Sequence, residues 1–213
     1  MTDRLTFYTN PMSRGAIVRW MLEEVGQPYE TVLLDYATTM KAPEYLAINP
    51  MGKVPAIKHG DTVVTECAAI CAYLAETFPD AGLAPRTNAE RGPYYRWLFF
   101  TAGPVEAAVS DRVLGLEIPA ERERMVGYGN YDRVVDLLDQ FLSGTDYVTG
   151  DRFTAADVYL GSHIMWGTQF GTLPKRPSFD AYLARLTSRP AAQRAQEIDH
   201  KATAEMQAQT EPA

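Results

Sequence analysis

An α/β half followed by an all-α half is the fold class that this 213-residue chain predicts. Three observations point to it. Up to Phe78, apolar residues alternate between a period of two and a period near 3.6. Residues 79–85, Pro-Asp-Ala-Gly-Leu-Ala-Pro, then form a turn-rich linker. Beyond that linker strand signals almost vanish and helical periodicity takes over. The implied division is a first domain at residues 1–79, a linker at 80–86 and a second domain at 87–213.

Each element has its own signal. Residues 5–8 are a short strand, and 13–25 an amphipathic helix with Ile17, Trp20, Met21 and Leu22 on one stripe. Gly26 and then Pro28 are the usual stop for such a helix. Residues 29–34 are a second strand, and 43–47 a short helix ending in the turn Asn49-Pro50-Met51-Gly52. Residues 56–59 and 63–65 make a hairpin across Gly60-Asp61, and 67–78 are helical again. In the second half, residues 88–116 and 119–142 read as two long helices. Phe153-Thr154-Ala155-Ala156-Asp157 opens a third, with Thr154 and Asp157 spaced for a capping box. Two shorter helices follow, with a frayed end from about Gln209.

Composition limits the function. Apolar residues make up 46% of the chain, enough for a sizeable core, so wholesale disorder is excluded. The net charge is −7 with both signs interspersed, which argues against a nucleic-acid or anionic-membrane surface. Residues 1–8 read as a mature strand rather than a signal peptide. No run approaches the ~18 consecutive apolar residues of a membrane span. The 2 cysteines, Cys67 and Cys71, lie on one face of a helix and cannot make a disulfide framework. With His59, His163 and His200 scattered, no metal site is expected. These features suit a cytoplasmic protein.

Several motifs occur in a telling order. They are Tyr8-Thr9-Asn10-Pro11-Met12-Ser13-Arg14 leading into Ile17 to Glu24, then Asn49-Pro50-Met51-Gly52-Lys53-Val54-Pro55, then Thr65-Glu66-Cys67-Ala68-Ala69-Ile70, and the Thr154-x-x-Asp157 box. Over essentially its whole length the chain resembles the cytosolic glutathione S-transferase superfamily, with a bacterial flavour and no firm subclass. The resemblance implies a thioredoxin-like N-terminal domain that binds glutathione. It also implies an all-helical C-terminal domain forming the site of a hydrophobic second substrate, and a homodimer. The implied activity is transfer of alkyl or aryl groups to glutathione, as in detoxification.

The same resemblance assigns roles that can be weighed residue by residue. The bond before Pro55 would be cis, leaving the N–H and C=O of Val54 as an open edge for the cysteinyl part of glutathione. The alternative is an ordinary proline at a strand start. Glu66 and Cys67 open a helix whose first N–H groups favour an anion, here the γ-glutamyl carboxylate, while Glu66 would accept from the ligand's ammonium. The family usually has Ser or Thr where Cys67 stands, and a thiol is a weak donor, so only the Cys67 N–H carries over. Glu66 could instead merely complement the helix dipole. Lys53 could meet the glycyl carboxylate or be simply solvated.

The sulfur needs help to ionise. A free thiol of pKa about 8.5 is only about 3% thiolate at pH 7. Lowering that value by ~2 units requires ~2.7 kcal/mol of preferential stabilisation. Ser13, where the first helix begins, and Tyr8, at the end of the first strand, are the candidate hydroxyl donors, with Ser13 slightly preferred. Arg14 would add positive potential, and Asn10 is an outside choice as amide donor. Against these stand an N-cap role for Ser13, a core role for Tyr8 and a remote ion pair for Arg14. No cysteine precedes Cys67, so a protein-thiol redox mechanism is disfavoured and glutathione itself must bring the sulfur. Among the aromatics of the helical half, most read as core or dimer contacts, with Phe100 and Trp166 chosen to line the apolar cleft for the electrophile. Two rivals stay open: glutathione-dependent reduction of peroxides or disulfides on the same fold, and a non-catalytic adaptor.

Overall fold

The computed structural model describes residues 4–210. The expectation for residues 1–3 lies outside the described residues; the fraying expected from about Gln209 falls partly there, but Gln209 and Thr210 themselves are helical. By its internal packing the chain divides into two compact units, Met1–Gly82 with Ser188–Ala213, and Leu83–Thr187.

The first unit is built on a mixed sheet. Its strands are β1 (Leu5–Thr9), β2 (Glu30–Leu33), β3 (Ala56–His59) and β4 (Thr62–Thr65), in the order β2-β1-β3-β4. The β1–β2 pair is parallel and the β1–β3 and β3–β4 pairs are antiparallel. The parallel pair needs a crossover, and α1 (Gly15–Val25) supplies it. Gly26 ends that helix in the left-handed conformation, φ 70°, with its N–H returning to Leu22 C=O at 2.9 Å. A two-residue loop, with Gly60 at φ 58°, joins β3 to β4 in the expected hairpin. A single 3-10 turn at Thr39–Lys41 leads into the short helix α2 (Pro43–Leu46), and α3 (Cys67–Thr77) follows β4.

Alternation along β1 sends its side chains to opposite faces. On one face Phe7 lies edge-on to Tyr29, with the Arg19 guanidinium of α1 4.9 Å from its ring centroid. On the other, Tyr8 packs with Val32, Ile48 and Val54 against a buried cluster of Leu34, Met40, Tyr45 and Ala56.

α9 (Pro190–Thr210) completes this unit by packing along α1. Periodicity alone assigns this stretch to the helical half, as one of two shorter helices. It is instead 21 residues long, and three arginine–carboxylate pairs explain its position. Buried Arg19 donates to Asp199 at 3.1 Å and, through its other nitrogen, to Tyr29 and Thr31 at 2.8 Å each. Arg189 forks onto both oxygens of Glu24 at 2.7 Å, and Arg194 meets Glu23 at 3.2 Å.

The second unit is helical: α4 (Asn88–Phe100), α5 (Glu106–Val113), α6 (Tyr131–Ser143), α7 (Ala155–Gln169) and α8 (Pro177–Thr187). The long helix expected over 88–116 is interrupted by a π-helical turn at Thr101–Val105. Pro104 within that turn brings no N–H and widens the ladder. The helix expected over 119–142 begins only at Tyr131. Gly129, at φ 72°, breaks it, Asn130 caps the true start by accepting from Arg133 N–H at 2.9 Å, and Ala120–Met125 is 3-10. The capping box at Thr154 and Asp157 is present at the head of α7. No helix among the described residues is long and apolar enough to cross a membrane.

Candidate functional site

Sheet register gathers the motifs. Tyr8 of β1 pairs with Ala56 of β3, Ala56 with Thr65 of β4, and Tyr8 with Val32 of β2, so one rung crosses the whole sheet. Three segments leave the sheet at this level: the loop after Thr9, the Val54-Pro55 step before Ala56, and Glu66-Cys67 after Thr65. This is the carboxyl end of the parallel pair, where open sheets of this type leave a crevice.

The loop into α1 is ordered by Asn10. Its buried amide donates to Leu34 C=O at 2.8 Å and accepts from Met12 N–H at 3.0 Å. Its own C=O accepts from Ser13 N–H at 3.1 Å and from the Ser13 hydroxyl at 2.6 Å. Ser13 Oγ in turn accepts from Gly15 N–H at 2.9 Å. Both functions of the Asn10 amide are therefore engaged by main chain, and the Ser13 hydroxyl proton points into the loop. A ligand sulfur would compete with Asn10 C=O for that proton. The half-buried Tyr8 ring lies 5.7 Å from that of Tyr45. Its hydroxyl has no hydrogen-bond partner among the described residues. The Arg14 side chain is exposed, and its C=O lies 3.6 Å from Cys67 Sγ, which brings the heads of α1 and α3 together.

At the second segment the Val54–Pro55 bond is cis. Pro55 is buried, Val54 half-buried and the Lys53 side chain exposed. Among the described residues neither the N–H nor the C=O of Val54 has a backbone partner. At the third, Glu66 has φ 67° and ψ 122°, the one positive φ at a non-glycine among the described residues. Such a conformation costs on the order of 1–3 kcal/mol and concentrates at ligand-holding positions. It turns the chain so that exposed Glu66 stands at the head of α3. Cys67 is buried there. One turn on, burial drives the Cys71 thiol well above its ordinary range, so it is a poor nucleophile near neutrality.

Sequence reasoning missed the supports of this site. The Tyr45 hydroxyl and the Asn49 amide both donate to Lys53 C=O, at 2.6 and 2.7 Å. Asn49 was legible only as part of a turn, and nothing marked Tyr45. Gly15 was missed too: a Cβ there would lie 1.9 Å from Thr9 Oγ1 and 3.0 Å from Ser13 Oγ, so only glycine lets α1 start so close to β1. Phe100 and Trp166, the residues chosen for the electrophile, are half-buried in the helical unit on α4 and α7. Of the other aromatics there, Tyr94 and Trp97 are core, whereas Tyr95, Phe99 and Phe170 are exposed.

Comparison with known proteins bears on the family and the fold. Family models for the N-terminal and C-terminal domains of glutathione S-transferases match residues 3–76 and 117–190. Glutathione S-transferase GST-4.5 of Xanthomonas campestris is 28% identical over 85% of this chain and 92% of its own length. Glutathione S-transferase F10 of Arabidopsis thaliana is 32% identical over 68% of this chain and 72% of its own. Among solved structures, a glutathione transferase of Methylococcus capsulatus superposes with a TM-score of 0.76 at 29% identity, covering 92% of this chain and 98% of that one. The transferase URE2P6 of Phanerochaete chrysosporium, solved with oxidized glutathione, gives 0.76 at 30% identity over 94% and 98%. With both family models matched and relatives alike over most of their length, this chain, a thioredoxin-like sheet followed by a helical unit, is a member of the glutathione S-transferase family.

Proposed function

We propose that the chain conjugates the thiolate of glutathione to small hydrophobic electrophiles. The observation that carries the reading is the convergence of the Ser13 loop, the Val54-Pro55 step and the strained Glu66 on one rung of the sheet. Each segment answers one part of the tripeptide. Val54 offers main-chain groups to the cysteinyl unit. Glu66 accepts from the γ-glutamyl ammonium while the Cys67 N–H and the head of α3 meet the neighbouring carboxylate. Lys53 reaches for the glycyl carboxylate.

Thiolate formation is the chemical step these groups serve. Ser13 is the first candidate for donor to the sulfur and Tyr8 the second, with Arg14 adding positive potential. Fixing nucleophile and electrophile together supplies the rest of the rate gain. Phe100 and Trp166 are assigned to apolar contact with the electrophile. The reading includes a cytoplasmic homodimer acting in detoxification, with glutathione as substrate, no metal, and no nucleic-acid or membrane partner.

The test is the ultraviolet absorbance of bound glutathione thiolate against pH in the native protein, Ser13→Ala and Tyr8→Phe. Loss of the activating hydroxyl is expected to raise the bound thiol pKa by about 1–2 units. If neither substitution moves it, the activation assignment is wrong. Turnover of an aryl halide, compared with a hydroperoxide and a mixed disulfide, separates conjugation from reduction. An absence of calorimetric heat at millimolar glutathione would point to an adaptor instead.

A further inference from the structure

We infer that Tyr45, with Asn49, is a positioning residue that aims the Val54 N–H at the cysteinyl carbonyl of glutathione by holding the Lys53 carbonyl from behind. The inference rests on the glutathione-binding reading above and concerns how that edge is set.

The Lys53–Val54 peptide is trans, since the one cis bond among the described residues is Val54–Pro55. In a planar trans peptide the C=O of one residue and the N–H of the next point in opposite directions. Whatever fixes Lys53 C=O therefore fixes Val54 N–H. Two donors converge on that oxygen, Tyr45 Oη at 2.6 Å and Asn49 Nδ2 at 2.7 Å. They occupy both of its lone pairs. Each donor is itself immobilised. The Tyr45 ring is buried in the cluster with Leu34, Met40 and Ala56 and lies against Tyr8. Buried Asn49 accepts from Met51 N–H at 3.1 Å, and its own N–H returns to Tyr45 C=O at 2.8 Å.

Flipping the peptide would strip both buried donors of their acceptor, so the orientation is strongly held. The Val54 N–H is thereby turned away from α2, which agrees with its lack of a backbone partner. Burial also pushes the Tyr45 phenol up to about 12, which keeps it a donor across the working pH range. Preorganising one ligand-facing donor in this way raises affinity without a direct contact between Tyr45 and the ligand.

The test compares two ligands on the native protein and on Tyr45→Phe, which keeps the ring and removes only the hydroxyl. One ligand is glutathione. The other is γ-glutamylcysteamine, which lacks the cysteinyl carbonyl and the glycine. By calorimetry, Tyr45→Phe is expected to weaken glutathione about fivefold, the worth of one net hydrogen bond. The truncated ligand should hold within about twofold, and the pKa of bound glutathione thiol should not move. Asn49→Asp, which removes the second donor but keeps the acceptor for Met51 N–H, should show the same selectivity. Amide exchange at Val54 gives an independent readout: glutathione should protect it in the native protein and protect it less in Tyr45→Phe. Equal weakening of both ligands, or of neither, together with unchanged Val54 protection, overturns the inference while leaving glutathione binding intact. If native protein binds no glutathione at all, the functional reading and this inference fall together.

Discussion

Glu66 pairs an unfavourable backbone conformation with a position where a ligand can use it. Glycine occupies its φ of 67° without steric cost. Glu66→Gly is therefore expected to raise the unfolding free energy by about 1 kcal/mol in denaturant titrations. The same change should weaken glutathione at least about tenfold in calorimetry, through loss of the acceptor proposed for the ammonium. A variant less stable than the parent would refute the strain account. Asn10 shows the opposite case. In sequence it is an outside choice for sulfur donor, yet its hydrogen bonds to Leu34 and Met12 make it the organiser of the loop that holds Ser13. Sequence spacing identified the loop correctly, but which polar group faces inward depends on the β1–β2 register, which no local pattern encodes.

At the scale of elements, α7 shows how a local signal acquires non-local weight. Its capping box was readable because Thr154 and Asp157 are three residues apart. The remaining partners of Asp157, Val148 N–H at 2.7 Å and Tyr182 Oη at 2.8 Å, were invisible because they come from a loop and from α8. Burial, opposed by these donors, pushes the Asp157 carboxyl up to about 6. An unfolded aspartate titrates near 3.9. A raised folded-state value means the folded chain binds the proton more tightly. The contribution to stability is therefore full below about pH 4, declines as pH rises through 6, and is flat above, a change of about 3 kcal/mol. The difference in unfolding free energy between native protein and Asp157→Asn should trace that decline between pH 4 and 6, and a level difference would contradict it. Helix boundaries were less legible than helix identity. Helical propensity runs on through Gly129 and past Pro104, where backbone freedom and a missing N–H decide the outcome.

For the whole molecule, the order of elements in sequence and the order of packing diverge at one point. The α/β character of the first half and the helical character of the second were plain from periodicity. The membership of α9 was not, because its partners on α1 are about 170 residues distant, as in the Arg194–Glu23 pair with a separation of 171. Residues 1–82 alone leave Arg19 without Asp199 and Glu24 without Arg189. Such a fragment is expected to lose cooperative thermal unfolding by circular dichroism, because stripping one partner from a buried pair costs on the order of 3–5 kcal/mol. Joining residues 188–213 to it through a flexible linker should restore the transition. An isolated 1–82 fragment that melts as sharply as the fused one would show that α9 is dispensable.

That arrangement also bears on how the chain is made. Translation delivers β1 to α3 early, then the entire helical unit, and only afterwards α9. While the ribosome works through residues 83–187, the nascent first unit carries an open α1 flank and a charged guanidinium still waiting for its carboxylate. The first unit thus receives its last helix only after the helical unit has been made, and a ribosome stalled before residue 190 would hold a sheet that is present but unfinished.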